Sequence, residues 1–280
     1  MTSKTIKVTT ASLLALGLMV TPALSGDFAK AATTVTKDSK GTVQFDKSTT
    51  PDPDPINPDP IDPDPIDPDP VDPPVGQDGL WILAVSHWDF GVQNVASLAS
   101  SELNVHTADA KVSTYVDANG NGKRDAATEP AVEKSVTPFA QISDVRGTNT
   151  GWTLSVTGSA FKDTVTPSKT IPGAQLTIPK SSVSSAISAA QAPTGYDNVT
   201  ISMTGSGAVP VMAAHDMQTA TPTNFADDEG MGTWTDSFGD AATSATNTSK
   251  PKLTVPQNVV VADGTYESTL TWTLSDTPAI

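Results

Sequence analysis

The 280-residue sequence has no cysteine, few aromatic residues (5%) and only 16 basic side chains against 31 acidic ones. Without cysteine there can be no disulfide framework, thiolate metal site or cysteine nucleophile. The formal net charge of −15 argues against nucleic acid and anionic lipid as partners, because Lys and Arg are what bind such polyanions. We therefore expect a protein stabilised by a hydrophobic core or by bound ions, with no nucleic-acid partner.

Long apolar runs are also scarce. Residues 11 to 20 form one, but a membrane span needs about 20 such residues, so we expect no membrane span. Lys4 and Lys7 precede this run, and small residues suited to a cleavage site follow at 29 to 31. This order predicts a secretory signal peptide at residues 1 to 31, with an uncleaved N-terminal anchor as the alternative. The protein is thus expected to be secreted and extracellular.

Residues 51 to 75 contain 11 prolines, 8 aspartates and no cation. Alternating proline favours an extended polyproline II conformation, which at about 3.1 Å per residue could reach roughly 75 to 80 Å. The segment is predicted to be a stalk or a surface connection, although its aspartates could also collect calcium weakly. Ahead of it lies a short N-terminal segment, residues 32 to 50, in which residues 42 to 45 could form a strand.

From residue 76 to residue 280 the chain is rich in Thr, Ser, Val, Ala and Gly, with short apolar alternations between turn residues. Every second residue is apolar at 152 to 156 and at 270 to 274, which is typical of half-buried antiparallel strands. We predict an all-β fold, an antiparallel sandwich or barrel-like domain, with at most one short surface helix at 181 to 190. The predicted strands are 80 to 85, 112 to 116, 152 to 156, 175 to 178, 199 to 203, 253 to 255 and 266 to 274.

Several motifs in this region resemble one known family. Residues 266 to 278 fit the pattern Y-x-x-x-L-T-W-x-L-x-x-x-P, and residues 146 to 156 contain a second Trp-x-Leu motif. The Phe90-Gly91 pair, the Gly-Thr-Trp segment at 232 to 234 and the Pro/Asp-rich stretch are also similar. Together they resemble the WxL-domain cell-surface proteins of Gram-positive bacteria. Trp88 departs from the family pattern, since an aliphatic residue is expected there.

The resemblance implies a secreted β domain that is held non-covalently on the cell wall, with peptidoglycan as the ligand, often together with other surface proteins. The chain stops at Ile280 without a sorting motif, which also favours non-covalent retention. An acidic protein should be repelled by the phosphates of teichoic acid but not by the glycan strand. Peptidoglycan, or another wall glycan, is therefore the expected ligand.

The two Trp-x-Leu motifs each place two apolar side chains on one face of a strand, because residues two apart point the same way. If the strands are neighbours, we expect a packed aromatic cluster. These side chains could be core anchors or an exposed platform for sugar rings, with residues such as Arg146 supplying polar contacts. The candidate wall-binding residues are Trp152, Leu154, Trp272 and Leu274.

A second candidate site is a loop with the spacing of an EF-hand calcium loop. Oxygen-bearing side chains stand at loop positions 1, 3, 5 and 9, a glycine stands at position 6, and position 7 offers its carbonyl. The acid expected at position 12 comes one residue late, as Glu129. The sequence predicts a structural calcium clamp, with an ordinary Asx and glycine turn as the alternative. The candidate ligands are Asp117, Asn119, Asn121, Lys123, Asp125 and Glu129.

The sequence gives little support for a catalytic site, so we expect that the protein is not an enzyme. His215 and Asp216 are adjacent in sequence, and adjacent residues seldom have the geometry of a catalytic triad. The acidic run at 227 to 229 is interpreted as a solvated loop. The leading hypothesis is a wall-binding module, and the alternative is a structural or adhesive module that binds another surface protein.

Overall fold

The structure is a computed structural model. It describes residues 43–44, 74–93, 104–121, 123–186, 188, 190–216, 229–240, 249–257 and 259–278. The predicted signal peptide and almost all of the Pro/Asp-rich stretch lie outside these ranges. Of the candidate strand at 42 to 45, Val43 and Gln44 are described, and both are exposed and in irregular backbone.

The described residues contain strands and no helix, which confirms the all-β prediction. The strands are β1 Val75–Gln77, β2 Leu80–Val85, β3 Asn104–Thr107, β4 Ala110–Thr114, β5 Val132–Val136, β6 Phe139–Asp144, β7 Trp152–Gly158, β8 Lys162–Asp163, β9 Gln175–Ile178, β10 Ser181–Ser184, β11 Thr194–Gly195, β12 Val199–Ser202, β13 Val209–Ala214, β14 Gly232–Phe238, β15 Lys252–Val255, β16 Tyr266–Glu267 and β17 Leu270–Ser275.

The strand pairings between these elements are antiparallel and form three larger sheets. We name them by a central strand. The β6 sheet has the order β1-β2-β6-β14-β10, the β7 sheet β11-β13-β7-β17, and the β9 sheet β12-β9-β15-β3. Two smaller pairs, β16-β8 and β4-β5, complete the described pairings.

One core cluster joins the three larger sheets. Ile142 and Phe238 come from the β6 sheet, Leu154 from the β7 sheet, and Leu176 and Ile201 from the β9 sheet, and all five are buried. Strand β7 alternates between buried and half-buried residues along its whole length, as its sequence pattern predicts. A second, smaller cluster of Ala110, Val136 and Phe139 lies beside the β4-β5 hairpin.

The helix predicted at residues 181 to 190 was wrong, because Ser181–Ser184 form strand β10 and pair with β14. The Ser181 hydroxyl donates to Asp236 Oδ1 at 2.6 Å, and the Ser182 hydroxyl donates to the Gly239 carbonyl at 2.6 Å. A serine-rich segment has weak helix propensity, so tertiary partners outside the segment decide its conformation.

By its internal contacts the chain divides into two units, Met1–Gln44 and Phe45–Ile280, and every described strand belongs to the second. In the described part of the chain, no helix has the length and apolar character needed to cross a bilayer.

Candidate functional site

The two Trp-x-Leu strands are direct neighbours in the β7 sheet. Leu274 of β17 lies opposite Leu154 of β7, and Trp272 lies opposite Val156. Residues directly opposite one another project from the same face of a sheet, so all of these side chains share the core face. Because the strands are antiparallel, the two tryptophans lie on opposite sides of the Leu pair. Trp272 is opposite Val156, which is four residues further along β7 than Trp152.

Trp152 is part of the core. Its side chain is 0% exposed, and its indole Nε1 donates to the Gly230 carbonyl at 3.1 Å. Gly230 has φ +75°, and a Cβ at this position would lie 2.4 Å from the Ala214 Cβ and 3.0 Å from the Trp152 Nε1. Only glycine fits this backbone conformation and this space. Gly230 therefore serves as the hydrogen-bond acceptor that fixes the indole.

A His-Glu pair lies next to this contact. His215 Nδ1 is 3.0 and 3.1 Å from the two carboxylate oxygens of Glu229, the residue before Gly230. The Glu229 side chain is only 11% exposed, so its interpretation as part of a solvated loop was wrong. A pattern of adjacent acids carries no information about a histidine 14 residues away, so the sequence could not reveal this pair.

Arg146 is held at the same end of β7. Its guanidinium donates to Asp144 Oδ1 at 2.9 Å and Oδ2 at 2.7 Å, and also to the Gly151 carbonyl at 2.8 Å. The hydrogen bonds to Asp144 raise the pKa of Arg146 above its ordinary value, against the opposing effect of burial. With these donors engaged, Arg146 ties β6 to the turn that precedes Trp152.

Trp272 is part of an aromatic cluster, and its partners there are Trp88 and Phe238 and not Trp152. Its ring stacks on Phe238 at a centroid distance of 5.7 Å and an interplanar angle of 8°. Trp88 meets both rings edge-on, at 5.7 Å from Phe238 and 6.4 Å from Trp272. The tryptophan that departs from the family pattern therefore completes the cluster. The three rings connect β17, β14 and the segment after β2.

The candidate calcium loop is organised from inside by Glu129, which is 2% exposed. Its carboxylate accepts hydrogen bonds from the Ala118 amide at 2.9 Å, the Asp125 amide at 2.7 Å and the Asn119 side-chain amide at 3.3 Å. Asp117 Oδ1 accepts from the amides of Gly120 at 2.7 Å and of residue 121 at 3.2 Å. The late acid thus has a structural role as the anchor of the loop.

The remaining candidate ligands take part in short-range turns. The side-chain oxygens of Asn119, Asn121 and Asp125 each accept the backbone amide two residues further along, at 3.0, 2.8 and 3.0 Å. Within the described ranges, no three His, Cys, Asp or Glu side chains are grouped so as to hold a metal ion. These bonds are those of Asx turns, so calcium at this loop stays a prediction.

The core also contains a carboxyl group. Asp236 on β14 is 0% exposed, and its Oδ1 accepts hydrogen bonds from the Ser181 hydroxyl and, at 3.2 Å, from the Ser182 amide. Its Oδ2 is buried with no hydrogen-bond partner among the described residues. Burial raises the pKa of Asp236 to about 7, with a smaller contribution from the negative charge of Asp197.

Comparison with known proteins identifies the family. Residues 32–278 match the family model of the WxL domain, which is described as a surface cell wall-binding domain. The match covers most of the 280 residues, so the chain belongs to the WxL family. This is a family of wall-binding domains and not a family of enzymes. Searches of curated proteins and of solved structures found no match.

Proposed function

We propose that this protein is exported and held non-covalently on the cell wall through the glycan of peptidoglycan. The observation that carries this proposal is the WxL match over residues 32–278, which gives wall binding in general. Export is supported by the order of basic, apolar and small residues in residues 1 to 31.

Electrostatics favours peptidoglycan over the other wall polymers. The chain carries 31 acidic and 16 basic side chains, and anionic wall polymers would be repelled by this excess of negative charge. Of the cations near the Trp-x-Leu strands, Arg146 is already paired with Asp144 at 2.7 Å. A neutral glycan avoids the repulsion, because its binding depends on hydrogen bonds and on contacts with CH groups.

Co-sedimentation tests the proposal. Purified protein is mixed with insoluble sacculi that have been stripped of protein and of anionic polymers, and the bound fraction is measured at low and at high salt. We expect retention that persists at high salt, since neutral contacts are not screened by ions. Protein that binds intact walls but not the stripped sacculi would contradict peptidoglycan as the ligand.

A second candidate function, binding to another surface protein, is favoured by the position of β17. This strand is at the edge of its sheet, and its six residues contain no charge and no proline. Edge strands that are protected from pairing with another chain usually carry a charged residue or a proline. In this case stripped sacculi would fail to retain the protein, whereas extracts of cell-surface proteins would retain it.

We also propose a structural calcium ion at residues 117 to 129. The spacing of oxygen-bearing side chains supports this, as does the position of the loop directly after β4 on a predicted extracellular protein. An ion there would stabilise the connection between β4 and β5 and would not take part in wall contact. Comparison of the melting temperature in calcium and in chelator tests it.

A further inference from the structure

The outward face of the two Trp-x-Leu strands is a regular array of hydroxyl groups. Strands β7 and β17 present on this face three directly opposed pairs of side chains, each pair made of serine or threonine. We call this set the hydroxyl ladder. Its pairs are Thr153 with Ser275, Ser155 with Thr273, and Thr157 with Thr271.

Four of the six hydroxyls have no partner within the described part of the protein. Thr153 donates to the Thr277 carbonyl at 2.8 Å, and Ser275 donates to the Thr277 hydroxyl at 3.0 Å, so one end of the ladder is already engaged. The other two pairs make no such bond. In those pairs Thr271 and Thr273 are exposed, and the β7 residues opposite them are half-buried.

The face is uncharged across the whole β7 sheet. Following the register outward from β7, the neighbouring strands β13 and β11 contribute Pro210 and Thr194, which are exposed, and Ala213, which is buried. The corresponding face of the β9 sheet differs, because Lys252 lies directly opposite Thr177 there. An uncharged face on a chain with a formal charge of −15 therefore distinguishes the β7 sheet from the β9 sheet.

We infer that the hydroxyl ladder is the surface that contacts the neutral glycan strand of the wall. The inference rests on the proposed function and assigns wall contact to the residues that alternate with Trp152, Leu154, Trp272 and Leu274. Those four contribute to the core, and the ladder shares their strands. The tryptophan motif thus holds the two strands together while the intervening residues meet the ligand.

The chemistry of the ladder suits this ligand. Each serine or threonine hydroxyl can donate one hydrogen bond and accept two, which matches sugar hydroxyls that are both donors and acceptors. Threonine is stiff at χ1, so little side-chain freedom is lost on binding. Its methyl group can contact the CH groups of a sugar ring. Because the face has no charge, an anionic polymer forms no ion pair there.

The test replaces one open pair by the isosteric residue that lacks a hydroxyl. The variant Thr157→Val/Thr271→Val removes two hydroxyls, and valine keeps the shape and strand propensity of threonine. The control, Thr177→Val/Thr200→Val, changes an opposed threonine pair of the β9 sheet with the same combination of one half-buried and one exposed member. Binding to stripped sacculi is titrated for both variants and for the unchanged protein, and melting temperatures are compared.

We expect the ladder variant to bind roughly fivefold more weakly for each lost hydrogen bond, about 25-fold in all, with the control unaffected. If the unchanged protein binds and both variants bind equally well or lose binding equally, the ladder is refuted while the wall-binding proposal stands. If the unchanged protein does not bind the stripped sacculi, the peptidoglycan proposal itself fails, and this inference fails with it.

Discussion

The buried carboxyl of Asp236 makes a contribution to stability that is present in mild acid and is lost as the pH rises through about 7. In the folded state the pKa of Asp236 is about 7, compared with an ordinary value of 3.8. The cause is burial, since one oxygen of the carboxyl has no partner among the described residues and an ionised group there would lack solvation. The perturbation that tests this is Asp236→Asn, which keeps the shape and removes the titration.

The magnitude follows from linkage. Between pH 4 and pH 7 the folded protein holds a proton on Asp236 that the unfolded chain has lost, so the free energy of unfolding falls as the pH rises. About three pKa units at roughly 1.4 kcal/mol each give a loss of about 4 kcal/mol by pH 8. For a chain of this size that corresponds to a fall of roughly 10 °C in melting temperature.

Thermal unfolding from pH 4 to pH 8 measures this. The difference in free energy of unfolding between the Asp236→Asn variant and the unchanged protein should move by about 4 kcal/mol in favour of the variant as the pH rises. At pH 4 the variant should be the less stable, because a buried amide adds unpartnered donors. Asp263→Asn, at an exposed position, controls for the loss of one carboxylate. Parallel stability curves for the Asp236 variant and the unchanged protein would refute the reasoning.

Three further predictions concern the site. Gly230→Ala should lower the free energy of unfolding by roughly 2 to 4 kcal/mol in denaturant unfolding, because the added Cβ would lie 2.4 Å from another side-chain carbon. The control Gly120→Ala, at φ +69° with nothing within 4 Å, should lose only about 1 kcal/mol. Equal losses would contradict the steric argument. Trp152→Phe should lose roughly 2 to 4 kcal/mol from a cavity and a broken hydrogen bond, more than Trp272→Phe, whose residue is only partly buried. Smaller loss at Trp152 would show that its burial contributes little. Asp117→Ala should lower the melting temperature more in calcium than in chelator, where only its turn hydrogen bonds are lost, and an equal fall in both would contradict calcium at the loop.

Alternating sequence patterns made much of the fold predictable. The strands predicted at 80 to 85 and 175 to 178 have the bounds of β2 and β9, and the pattern at 152 to 156 lies within β7. Strands such as β6 and β14 were missed, because they are buried on both faces and so lack the alternation of a half-buried strand. The segment at 181 to 184 was mistaken for a helix, since its partners are distant in sequence.

The site was predictable only in part. The sequence showed which face of each strand bears Trp and Leu, but it could not show that the two strands pair antiparallel and so separate the indoles. The contacts of Trp88 with Phe238, and of His215 with Glu229, depend on where distant segments meet. Glu129 was noticed as one position late, and its burial among backbone amides explains that offset.

The pairing of β7 with β17 has a consequence for how the chain reaches its final state. The two strands are joined by more than a hundred intervening residues, so their contact closes a long loop and forms late in folding. A polypeptide that has been synthesised only to residue 269 leaves one side of β7 without its neighbour. The contacts that Trp272 and Leu274 make with the core are therefore the last to become available during synthesis.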